Sequence, residues 1–96
     1  MKPSEALHSN RAAIRQVIES HRVQNPRVFG SVLHGQETDC SDLDILIDPT
    51  EATTLIDVAA IQVKLQRLLG VSVDVLTPMA LPEKFRIAVI SEAIPI

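Results

Sequence analysis

Apolar positions at Ile14, Val17 and Ile18, with His21 completing an i, i+3, i+4, i+7 spacing, predict an opening helix. Ser4, directly after Pro3, is placed to cap it. Asn25-Pro26 should end that helix, because a residue before proline is pushed out of the α region. Arg27-Val28-Phe29 then reads as a first strand closing at Gly30, followed by a helical turn from Ser31 to Gly35 and a polar loop from Gln36 to Cys40. Asp42 to Asp48, with β-branched Ile45 and Ile47, predicts a second strand stopped by Pro49. Thr54 and Asp57 have capping-box spacing, with Asp in place of the usual Glu. They open a helix in which Leu55, Val58, Ile61, Gln62, Leu65, Leu68 and Leu69 mostly face inward, and Gly70 stands where a C′ glycine belongs. Val71 to Leu76 alternates as a third strand, and Pro82 opens a last helix running through Phe85, Ala88 and Val89 to about Ala93.

Strands alternating with helices predict an α/β domain: a small mixed sheet of about three to four strands packed with about three main helices. With no repeat, linker or low-complexity segment, residues 1–96 are expected to form a single domain. The first two strands are joined by about a dozen residues, which permits either a crossover or an antiparallel return.

The 96 residues are 46% hydrophobic and 22% charged, an ordinary globular balance. No apolar run exceeds four residues, so neither a membrane span nor a signal-peptide core is expected. A single cysteine, Cys40, excludes an intrachain disulfide, and the cytoplasm is the expected setting. The net charge of −3 and the presence of only two aromatics, Phe29 and Phe85, argue against direct nucleic-acid binding: there is neither a basic field nor a stacking platform.

Charge distribution changes the picture more than total charge. Between Arg27 and Lys64 there is no Lys or Arg, yet Glu37, Asp39, Asp42, Asp44, Asp48, Glu51 and Asp57 fall there. A solvated acidic face accounts for most such runs. Asp42 and Asp44, however, are two apart on a predicted strand and leave the same face, with Cα atoms roughly 6.5–7 Å apart. Like charges so close call for a cation, and Mg²⁺ typically takes one or two carboxylates plus phosphate oxygens and water. Asp74 interrupts an otherwise apolar strand, and a carboxylate there needs solvent, a partner or a metal. If the two strands are neighbours, Asp42, Asp44 and Asp74 can share a pair of metal ions, as two-metal nucleotidyl transfer requires. Gly30-Ser31 supplies the complement: a backbone that a ligand can approach, turn N–H groups and a hydroxyl suited to phosphate.

The stretch Gly30-Ser31-Val-Leu-His34-Gly-Gln-Glu-Thr-Asp-Cys-Ser-Asp42-Leu-Asp44 fits the GS-x10-DxD signature of the polymerase-beta-type nucleotidyltransferase superfamily. The short chain, the strand beginning Ser41-Asp42-Leu-Asp44 and the ending Val-Asp74-Val-Leu-Thr-Pro…Glu-Ala-Ile-Pro resemble its minimal nucleotidyltransferase group, over nearly the whole chain. That resemblance implies the nucleotidyltransferase-type fold and AMP transfer from ATP to a hydroxyl, a tyrosine of a partner HEPN-domain toxin, by a protein acting as antitoxin. It implies that Gly30 and Ser31 contact the triphosphate, that Asp42, Asp44 and Asp74 hold two Mg²⁺ ions, and that Asp74 helps deprotonate the acceptor. Where many relatives have arginine in G-S-x-x-R-G, this chain has His34, which can offer phosphate a single hydrogen bond but not a guanidinium fork.

The remaining polar residues carry less. His8 and His21 read as surface or boundary positions on the first helix, Cys40 lacks a basic neighbour to form a thiolate, and Asp39, Asp48, Lys84 and Arg86 read as solvated. A rival to catalysis is an antitoxin that neutralises by binding and occlusion, with a vestigial nucleotide site. A third reading is a domain that needs a helical subunit in trans to modify a small molecule.

Overall fold

The computed structural model describes residues 1–96. In chain order they form α1 (Pro3–Ser9), α2 (Arg11–Glu19), β1 (Val23–Phe29), β2 (Leu43–Pro49), α3 (Leu55–Leu69), β3 (Val73–Leu76), α4 (Glu83–Glu92) and β4 (Ile94–Pro95), with short 3₁₀ turns at Gly30–Val32 and Pro78–Ala80. The sheet order is β3-β2-β1-β4. β1 lies antiparallel to both β2 and β4, whereas β2 and β3 are parallel and joined through α3. The antiparallel return is thus the one the chain takes between its first two strands. The expected small mixed α/β sheet is present, with one helix more than anticipated.

Alternation along β2 sets the two layers. Leu43, Ile45 and Ile47 are fully buried and join Val73, Val75 and Val28 against Ile14 and Ile18 of α2 and Ile61, Leu65 and Leu69 of α3. Leu46 points to the other face, where Phe29 and Leu81 are buried with it and Val89 and Ala93 of the last helical segment pack alongside. Helices therefore cover one face completely, while α4 covers only part of the other. The acidic positions of β2 and β3 lie on that second face.

The ends of α3 follow local chemistry. Thr54 accepts from the Asp57 N–H at 3.2 Å, the Asp57 carboxylate accepts from the Thr54 N–H at 2.9 Å, and Gly70 takes the left-handed conformation at φ 69°. Removing this cap with Thr54→Ala is expected to cost about 1 kcal/mol, lowering the melting temperature by about 4–8 °C. A thermal melt matching the wild type would refute that role. Of the positions expected to face inward, Leu55 and Leu68 are exposed, at 88% and 43%. Gln62 and Gln66 do a different job: their side-chain oxygens accept the Val75 and Val73 amides at 3.0 and 3.2 Å, covering N–H groups of an edge strand.

Five expectations are corrected. The opening helix is split at Asn10, which leaves helical geometry at φ −128° and returns its side-chain amide to the Ala6 carbonyl at 2.9 Å. Ser4 is not its cap: Lys2 precedes the helix, and both the Ser4 amide and hydroxyl donate to Glu37 across the fold. Asn25-Pro26 does not end a helix but forms an irregularity inside β1, with Asn25 at φ 55° and the β2 register shifting between Gln24 and Arg27. His21 consequently lies beyond α2, where Nδ1 faces Asp57 at 3.6 Å and Nε2 meets the Lys64 amine at 2.6 Å. Finally, Pro82 caps α4 rather than occupying its first turn, and the chain continues into β4.

Candidate active site

β1 delivers Gly30 to the edge of the open face. Gly30 has φ 80°, a region costly to side-chain-bearing residues, and its carbonyl accepts from the Leu33 and His34 amides at 3.0 and 3.2 Å. The turn ends at Gly35, also left-handed at φ 66°. Ser31 and His34 therefore occupy one tight turn directly after the strand. The loop that follows is tied to α1 through the Glu37–Ser4 contacts, and returns the chain to Asp42.

The strand register brings the acids together. Phe29 is paired with Asp44 across β1 and β2, and Asp44 with Asp74 across β2 and β3. Asp44 thus stands between the glycine turn and the second acidic strand. A Cβ added to Gly30 would overlap the Asp44 Oδ2 and come within 3.2 Å of its Cγ. The bare glycine expected to let a phosphate approach makes room here for a carboxylate.

Electrostatics registers the crowding. Partial burial, then the charges of Asp74 and Asp42, push the Asp44 carboxyl from 3.8 up to about 6. Asp74 is raised as well, first by desolvation, then by the Asp42 charge and a hydrogen bond to Asp42. Two raised carboxylates with a third acid beside them suit a cation in both charge and hard oxygen chemistry. No three His, Cys, Asp or Glu side chains converge as a ready single-ion cage.

His34 does not stand alone in the turn. Its Nε2 lies 3.0 Å from the Glu92 Oε2 at the end of α4, both side chains being half exposed. Glu92 was missed in the sequence, although it belongs to the Glu-Ala-Ile-Pro ending that carried part of the resemblance. Asp48, read as solvated, instead accepts from the buried Arg27 at 2.5 Å and from Asn25 at 2.9 Å. Arg86 is likewise engaged, donating to the Pro78 and Leu81 carbonyls at 2.9 and 3.0 Å, while Lys84 lies over the Phe85 ring. Cys40 is exposed. Asp42, Asp44 and Asp74 are each partly exposed, and a separate depression on α1 is lined by Ser4, Glu5, His8 and Ser9.

A small mixed sheet presenting a glycine turn beside strand carboxylates is the architecture of a nucleotidyltransferase. A family model described as polymerase beta, nucleotidyltransferase, matches residues 12–96, and the chain belongs to that family. It is similar to protein adenylyltransferase MntA of Thermococcus cleftensis, 30% identical over 80 residues that cover 83% of this chain and 81% of that one. A Methanocaldococcus jannaschii protein whose name also proposes a protein adenylyltransferase is 29% identical over 80 residues, covering 83% and 86% of the two chains. A solved structure described as a proposed minimal nucleotidyltransferase superposes with a TM-score of 0.85 at 39% identity, over 97% of this chain and 95% of that one. A second, a toxin–antitoxin crystal structure with AMP-PNP, shares the fold at a TM-score of 0.75 and 20% identity, over 90% of this chain and 71% of that one. No helix is long and apolar enough to cross a membrane.

Proposed function

We propose that this nucleotidyltransferase transfers AMP from ATP to a tyrosine hydroxyl of a partner HEPN-domain toxin, and so acts as an antitoxin. The observation that carries the reading is Asp44, seated on the bare Cα of Gly30 and raised first by burial and then by the charges of Asp74 and Asp42. In this reading Asp42, Asp44 and Asp74 hold Mg²⁺, two ions in all, which would supply positive charge against the triphosphate and the developing negative charge. Gly30 and Ser31 offer a backbone N–H and a hydroxyl to the phosphates, and His34 a ring N–H. The acceptor oxygen attacks the α-phosphorus; its new bond forms as the bond to the bridging oxygen breaks and pyrophosphate leaves. The acceptor proton passes to the Asp74 carboxylate.

Two features support a macromolecular acceptor. The chain contains no tyrosine, so a phenolic acceptor has to come from another molecule. Asp42, Asp44 and Asp74 are each partly exposed, so a partner can bring its hydroxyl to them. The names of the similar proteins, adenylyltransferases and a toxin–antitoxin complex, support the same direction.

The test is intact-mass spectrometry of the copurified partner after incubation with ATP and Mg²⁺. The expected result is a gain of one or more AMP-sized increments, abolished by chelating the metal. An unmodified partner in a stable complex would transfer the assignment to an antitoxin acting by occlusion.

A further inference from the structure

We propose that Glu92 is a positioning residue for nucleotide binding, holding the His34 imidazole in the turn that follows β1. The proposal rests on the reading that His34 meets the triphosphate. Its starting point is the 3.0 Å contact between His34 Nε2 and Glu92 Oε2, which joins the glycine turn to the far end of α4.

A carboxylate only accepts, so Nε2 carries its proton at this contact and Nδ1 is the nitrogen left for a ligand. An ionised phosphate oxygen also only accepts. To serve both, each ring nitrogen must carry a proton, one N–H donating to Glu92 and the other to phosphate. A histidine replacing arginine loses the preset fork of the guanidinium; a fixed carboxylate restores the orientation of its single remaining donor.

Glu92 is itself firmly placed. On one side of it, Val89 and Ala93 pack against the cluster of Phe29, Leu46 and Leu81. On the other, Ile94 pairs with Val28, and the Ile96 amide donates to the Pro26 carbonyl at 3.0 Å while its side chain enters the main core. The backbone at Glu92 is thereby held beside the end of β1, the strand that leads into Gly30. The carboxylate does nothing for α4 itself, since an anion in the last turn opposes the helix dipole. Its only ion-pair partner is His34.

The experiment is calorimetric titration of the full chain with ATP and Mg²⁺, using wild type, Glu92→Ala, Glu92→Gln, His34→Ala and the Glu92→Ala/His34→Ala double variant. Glu92→Ala is expected to weaken binding about fivefold, the worth of one hydrogen bond, without lowering the melting temperature. Glu92→Gln, whose amide oxygen can accept the same N–H, should remain within about twofold of wild type. The double variant should bind no more weakly than His34→Ala alone, because the carboxylate acts only through the ring. If His34→Ala weakens binding but Glu92→Ala leaves it unchanged or tightens it, the positioning role is overturned and the role of His34 survives. A Glu92→Gln variant as weak as Glu92→Ala, or strictly additive losses, overturns it too. Unchanged binding in His34→Ala would remove the underlying reading of His34 and this proposal with it.

Discussion

Asp44→Asn is expected to abolish nucleotide transfer while making the metal-free protein more stable. Both effects arise from one observation: the Asp44 carboxyl is partly buried, faced by two other acids, and raised to about 6. As a ligand its charge is worth several kcal/mol in a phosphoryl-transfer transition state, so transfer should fall by at least about a thousandfold. Without the cation, the same charge is a liability. Between 3.8 and about 6 the folded chain binds more protons at this site than the unfolded chain. Stability of the metal-free protein should therefore fall as pH rises through that window and level off above it. The full shift corresponds to about 3 kcal/mol, and solvent screening at a partly exposed site reduces this to about 1–2 kcal/mol. At pH 7.5 the asparagine variant should melt on the order of 5–10 °C higher than wild type, with the slope between about pH 4 and 6 diminished. Saturating Mg²⁺ and ATP should stabilise wild type more than the variant. A variant that melts lower without ligand, or retains transfer, would contradict this account.

Gly30→Ala should damage the site through geometry. The new Cβ meets two obstacles: a backbone at φ 80° and the carboxylate of Asp44. The first costs about 1–2 kcal/mol, and the second forces Asp44 away from its position between the turn and Asp74. A displacement of about 1 Å at a reacting centre can cost about a hundredfold, and a loss of that order is expected here. Gly35→Ala is the matched control. Gly35 is also left-handed, at φ 66°, but an added Cβ would meet nothing within 4 Å. Gly30→Ala should lose at least as much stability as Gly35→Ala by thermal melting, and only Gly30→Ala should lose transfer. Equal loss of transfer in both would show that turn strain, not contact with Asp44, limits the reaction.

The parts of the molecule legible in the chain are those whose causes are local. Thr54, Asp57 and Gly70 marked the ends of α3 because caps and left-handed glycines act within a few residues. β-branched Ile45 and Ile47 ahead of Pro49 marked β2, and the spacing from Gly30-Ser31 to Asp42 and Asp44 marked the candidate chemistry. Local rules failed where a distant segment offered a better contact. Asn25-Pro26 looked like a break, yet β2 and β4 hold it within a strand by pairing on both sides. Ser4 looked like a cap, yet Glu37 claimed its donors from thirty-three positions away. Asp48 looked solvated because nothing near it in sequence reveals that Arg27 is buried opposite.

The same division runs through the candidate site. By itself the sequence determined that a glycine turn, a pair of aspartates and a third aspartate are available, each on an element set by short-range sterics and hydrophobic period. Only the tertiary structure decided that β2 runs antiparallel to β1 and parallel to β3, which puts Asp44 against Gly30 on one side and Asp74 on the other. It alone brought Glu92 to His34. Strand direction and register follow from which faces the whole core can bury together, a sum over contacts between segments far apart in the chain, and no window of neighbouring residues contains that sum.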